Sequence, residues 1–91
     1  MKKRYIPIIS FNETGLDNKK PQLYKSLVEG ISEAFKTKSQ ETKLCELKYA
    51  NTYLTVHKDN WSGSLARALN FYIEREEYEM CSTVKTLMDK L

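Results

Sequence analysis

His57 is the only histidine in the chain, and Cys45 and Cys81 are its two thiols. A thiol or hydroxyl becomes a nucleophile only beside a base, so any such pair would have to join His57 to one of these cysteines or to a serine such as Ser62. The residues around them do not form a nucleophile elbow. A partly solvated histidine at the end of a strand is the plainer reading. Zinc sites take three or four Cys and His ligands, and the chain holds three such residues at wide spacing. The acidic run Glu74, Glu76, Glu77 and Glu79 lacks the Glu-x-x-His pairs of a di-iron bundle, and no calcium loop with its central glycine is present. Gly15, Gly30 and Gly63 stand apart and form no phosphate loop. The expectation is a chain without catalytic residues, metal, cofactor or small-molecule substrate.

Basic residues offer a second chemistry. Residues 1 to 60 carry eleven Lys or Arg against seven Asp or Glu, so the surplus behind the net charge of +3 is N-terminal. Lys2, Lys3 and Arg4 with Lys19 and Lys20 would form a patch that attracts phosphate. Tyr5, Tyr49 and Tyr53, interleaved with Lys43, Lys48 and Lys58, have the types that small-sheet modules use to stack bases. Because the clusters are short and acids are interspersed, a solubilising surface is the plainer reading.

Composition sets the class. With 91 residues, 41% hydrophobic and 30% charged, the chain is expected to be one globular domain over residues 1–91. No apolar run approaches the length of a membrane span. The basic start followed by Tyr5 to Ile9 is too short for a signal peptide and lacks a cleavage site, so a cytoplasmic location is expected. Cys45 and Cys81 are then free and buried, with a disulfide between them as the competing reading.

The elements follow from periodicity. Tyr5 to Phe11 reads as a strand, with Pro7 favouring an edge or the strand's first residues. Asn12 to Asn18 supplies turn chemistry. Pro21 stands near the first turn of a helix in which Leu23, Leu27, Ile31 and Phe35 recur every fourth residue, with Tyr24, Val28 and Ala34 beside them. Lys25, Ser26, Glu29 and Glu33 are placed on the far side. Thr37 to Lys43 reads as a loop. Leu47 and Tyr49 are odd, whereas Leu54 and Val56 are even, so a turn at Ala50 to Thr52 is needed to point all four one way. That makes a β-hairpin, against a competing helix from about Gln40.

The last third, residues 61–91, holds two helical stripes: Trp61, Leu65, Ala68, Leu69 and Tyr72, then Cys81, Val84, Met88 and Leu91. On one unbroken helix their centres would diverge by roughly 110° at about 100° per residue. A turn near Glu76 to Tyr78 lets them face each other, although neither Gly nor Pro marks it. A continuous helix is the alternative. Within this stretch Tyr78, Glu79, Cys81, Ser82, Val84 and Lys85 match in type the positions of the UVR motif, which the segment resembles over about a third of the chain. Cys-Ser replaces the usual small alanines, and Lys85-Thr86 replaces a basic-acidic pair. The resemblance implies a helical hairpin that docks onto a protein partner and implies no DNA repair.

The expected fold is α+β: a small antiparallel sheet of about three strands, one amphipathic helix, and a C-terminal antiparallel helical hairpin over 61–91 following the strand-helix-hairpin part over 1–60. The expected function is protein-protein interaction, including self-association, through Phe71, Ile73, Tyr78 and Met80, which lie off the main stripes. Nucleic-acid binding through Lys2, Lys3, Arg4, Lys19 and Lys20 is the alternative.

Overall fold

In the computed structural model, residues 6–9, 19–47 and 52–91 are described. The elements are β1 (Ile8–Ile9), α1 (Lys20–Thr37), β2 (Glu41–Leu47), β3 (Thr52–His57), a 3-10 turn over Lys58–Asn60, α2 (Trp61–Glu74) and α3 (Tyr78–Asp89). The α+β class and the C-terminal helical hairpin match the sequence reading.

The sheet differs from that reading. Only β2 and β3 pair antiparallel. The strand expected over Tyr5 to Phe11 is described at Ile8–Ile9, where it lies on the other side of β2 and runs parallel to it. Connectivity explains this: α1 intervenes between β1 and β2, and a crossover helix returns the chain in the same direction. Pro7 stands just before this edge strand, where its missing N–H costs nothing, and its carbonyl accepts from Glu46 N–H at 2.8 Å. The turns expected at 12–18 and around 50–51 lie outside the described residues.

The loop expected to reach Lys43 is shorter. Lys38 takes a left-handed conformation with φ 59°, and Ser39 N–H reaches back to the Ala34 carbonyl at 2.9 Å, which ends α1 abruptly. The ladder then draws polar Glu41 and Lys43 into β2 opposite His57 and Thr55. These residues point away from the helices, so their polarity suits a strand.

A bulge aligns the buried face of β2. Lys43 pairs with Thr55 and Cys45 with Leu54, leaving Leu44 as the additional residue. Parity therefore switches: Thr42 is buried before the bulge and Cys45 after it, while Leu44 and Val56 pack on the core. The Leu44 carbonyl accepts from the Ser26 hydroxyl at 2.7 Å. Ser26, expected on the solvent side of α1, is only 2% exposed. Gly30, one turn on along the same side, is also buried. The short Ser26 side chain brings α1 close to β2 at this point.

The core is filled from all three helices: Leu27, Ile31 and Ala34 from α1, Trp61, Leu65, Ala68 and Tyr72 from α2, and Cys81, Val84 and Leu87 from α3. The seam on α3 thus runs through Leu87, with Met88 partly buried and Leu91 exposed. The bend between α2 and α3 is set by Glu76 at φ 58°. Glu77 N–H donates to the Tyr72 carbonyl and Glu76 N–H to that of Ile73, both at 3.0 Å, the paired bonds of a Schellman end. A glutamate occupies the position that glycine usually takes.

Two substitutions separate these devices. Ser26→Ala leaves the Leu44 carbonyl without its donor and should lower unfolding stability by about 1–3 kcal/mol. Glu76→Gly relieves a left-handed side chain and should raise it by about 1 kcal/mol. Urea titration followed by circular dichroism reads both, and a loss of stability in Glu76→Gly would contradict the assigned bend.

Candidate functional site

The groups that could do chemistry are kept apart. His57 lies opposite Glu41 on the outer face of the hairpin, whereas buried Cys45 lies opposite Leu54, farther along the strand and on the helix side. Successive strand residues alternate between faces, so the histidine and this thiol cannot meet across β3. His57 has a local role: its Nδ1 accepts from Asp59 N–H at 3.2 Å and caps the 3-10 turn. Asp59, Asn60 and Ser62 are the residue types near this point that commonly cap a helix start. Asn60 is the residue before α2, but its side chain makes no cap bond.

Cys45 and Cys81 are both free and buried. Burial pushes the Cys45 thiol above its usual value, which lowers the fraction present as thiolate. Among the described residues, no group of three His, Cys, Asp or Glu could hold a metal ion. No helix among them is long and apolar enough to cross a membrane.

The basic set is only partly described, since Lys2, Lys3, Arg4, Tyr5, Lys48 and Tyr49 lie outside the described residues. Lys19 and Lys20 stand at the start of α1, and both make contacts within the protein. On the outer face of the hairpin, Lys43 Nζ lies 4.3 Å from the centre of the Tyr53 ring. Cross-strand register sets Glu41 and Glu46 on that face as well, so its charge is mixed.

The four residues expected to dock a partner divide into two kinds. Phe71 is half-buried, 4.7 Å from Tyr24 on α1 and 5.3 Å from Tyr72, with the Arg75 guanidinium 5.2 Å from its ring. Met80 is also partly buried against the core. Ile73 and Tyr78, by contrast, are 47% and 67% exposed on the two sides of the α2–α3 bend. Phe71 and Met80 therefore serve packing. Ile73 and Tyr78 leave apolar surface in water.

The chain matches no protein-family model, no curated protein and no solved structure.

The bend also holds a titrating group. Tyr72 sits 3% exposed beneath it, and its hydroxyl is pushed up to about 12, first by burial and then by the carboxylates of Glu77 and Glu29. The unfolded chain releases the same proton near 10. Above that pH the unfolded state binds fewer protons than the native state, so stability is complete below about 10 and declines as pH rises toward 12. Tyr72→Phe should flatten this decline by about 2 kcal/mol across that window. Thermal melts of both proteins at several alkaline pH values provide the check. Parallel declines would remove Tyr72 as the cause.

Proposed function

We propose that this chain is a small, non-catalytic protein-interaction module whose C-terminal helical hairpin docks onto a protein partner. The observation that carries this is the exposure of Ile73 and Tyr78 at the bend, where neighbouring Phe71 and Met80 pack against the core. Exposed aromatic and aliphatic side chains on a fixed support can act as anchors, because little side-chain freedom remains to be lost around them.

The UVR-like pattern supports the same reading. Its Cys81 and Val84 are buried on the side of α3 that meets the core, while Tyr78, Glu79, Ser82 and Lys85 are exposed. A docking hairpin needs that division between a face that holds its shape and a face that meets a partner.

Single-stranded nucleic acid is the second reading, favoured by Lys43 lying over Tyr53 on the outer face of the hairpin. Affinity driven by phosphate must fall steeply with salt, whereas Glu41 and Glu46 beside that pair oppose a polyanion.

A photo-reactive phenylalanine analogue placed at position 78 of the full chain tests the docking reading in the source cell. The expected result is one dominant protein adduct, reduced at least tenfold when Ile73→Lys is added. Ile73 is exposed, so that change should alter stability by no more than about 0.5 kcal/mol. Absence of any protein adduct, or one indifferent to Ile73→Lys, would refute docking at the bend.

A further inference from the structure

We infer that β3 is a self-complementary edge through which two copies of this chain pair antiparallel, extending the sheet across a twofold axis. The inference concerns a surface separate from the helical bend and does not rest on docking there.

Backbone direction comes first. Lys58 N–H donates to the Gln40 carbonyl at 2.7 Å, continuing the β2–β3 ladder. Every second residue back from Lys58, namely Val56, Leu54 and Thr52, therefore directs its N–H and C=O toward β2. Tyr53 and Thr55 direct theirs outward. Among the described residues, no strand lies beyond β3.

Exposed edges normally carry a lysine, a proline or a bulge that discourages pairing. This one carries none of them. Thr52 to Val56 is uncharged and free of proline, with β-branched and aromatic residues dominant. The bulge is on β2, the central strand, where it cannot blunt the edge. Both faces of the edge also hold uncovered apolar surface: Leu54, on the helix side, is 48% exposed and Tyr53, on the outer side, is 42% exposed.

These features select a second copy as the occupant. Place Leu54 opposite Leu54 of the other copy, and the outward groups of Tyr53 meet those of Thr55 in both directions, forming four hydrogen bonds about the axis. Leu54 then forms a non-hydrogen-bonded pair with its counterpart, the close kind, with Cα atoms about 4.5 Å apart. The uncharged edge meets itself without like-charge repulsion, and each leucine covers the other.

Sedimentation equilibrium of the full chain is the test, with two edge variants. The wild type should weigh two chains at high micromolar concentration. Leu54→Lys sets two ammonium groups against each other across the axis, and Thr55→Pro removes an outward N–H; each should sediment as one chain. Leu54 is half exposed, so its lysine variant keeps the fold even if the proline variant does not, and circular dichroism verifies this. Ile73→Lys should remain dimeric, which separates this interface from docking at the bend. Amide exchange supplies the second readout: protection at Tyr53 and Thr55 should increase with protein concentration. A monomeric wild type, a dimer that persists in Leu54→Lys, or concentration-independent protection from the chain's own residues covering the edge would each overturn the inference.

Discussion

A buried indole N–H must find an acceptor, and at Trp61 that requirement fixes the joint between sheet and helices. Its side chain is 1% exposed, and its Nε1 donates to the Val56 carbonyl at 3.0 Å. An orphaned donor at this depth would cost on the order of 1–3 kcal/mol, so the start of α2 is held to the end of β3. The Phe35 ring meets the indole edge-on at 5.5 Å and brings the end of α1 to the same place. With Trp61 fixed, Leu65, Ala68 and Tyr72 follow at helical spacing and define the buried stripe of α2. The bend at Glu76 then returns α3 so that Cys81, Val84 and Leu87 close the core. Between strand and helix only Lys58–Asn60 intervene, and His57 stiffens that segment through Asp59.

The helices were legible because each buries one stripe, and a stripe leaves a period. Phase was also enough to divide the C-terminal third, since two stripes on divergent faces cannot share one partner surface. What announced nothing was the bend, because its left-handed residue is a glutamate. Sheet geometry was less legible. The order strand, helix, strand carried the signal for a parallel crossover, but a two-residue β1 is too short to show alternation. The bulge was hidden for a related reason: parity arguments assume an unbroken ladder, and the additional residue Leu44 is recognisable only from its partners. Ser26 was misplaced in consequence, being a polar residue whose partner is a carbonyl on another element.

The candidate surface was legible in part. Ile73 and Tyr78 lie off the buried stripes and are exposed, as spacing alone implies. Phe71 also lies off the stripe of α2, yet Tyr24 of α1 covers it, and long-range neighbours leave no trace in local periodicity. His57 behaves similarly: its acceptor role depends on a turn whose geometry its residue types do not specify. The open edge of β3 did have a sequence signal in its uncharged run from Thr52 to Val56. That signal acquires meaning only once β3 is known to be outermost.

A domain of this size has one modest core, and large helix side chains such as Ile31, Trp61, Leu65 and Tyr72 are committed to it. Among the described residues, the large apolar side chains left exposed are Ile73 and Tyr78 at the α2–α3 bend, Tyr53 and Leu54 along β3, Ile8 on β1 and Leu91 beyond α3. Stability and surface chemistry are therefore carried by different residues. Trp61 and Ser26 hold layers together from inside and present nothing to a partner, whereas Ile73, Tyr78 and Leu54 can change with small effect on folding because water already reaches them. In a chain whose side chains all served the core, altering a surface would weaken the fold. Here the Schellman bend and the outer strand carry their exposed residues on backbone that is already fixed by the ladder and the helices, so a partner would meet surfaces that need no further ordering.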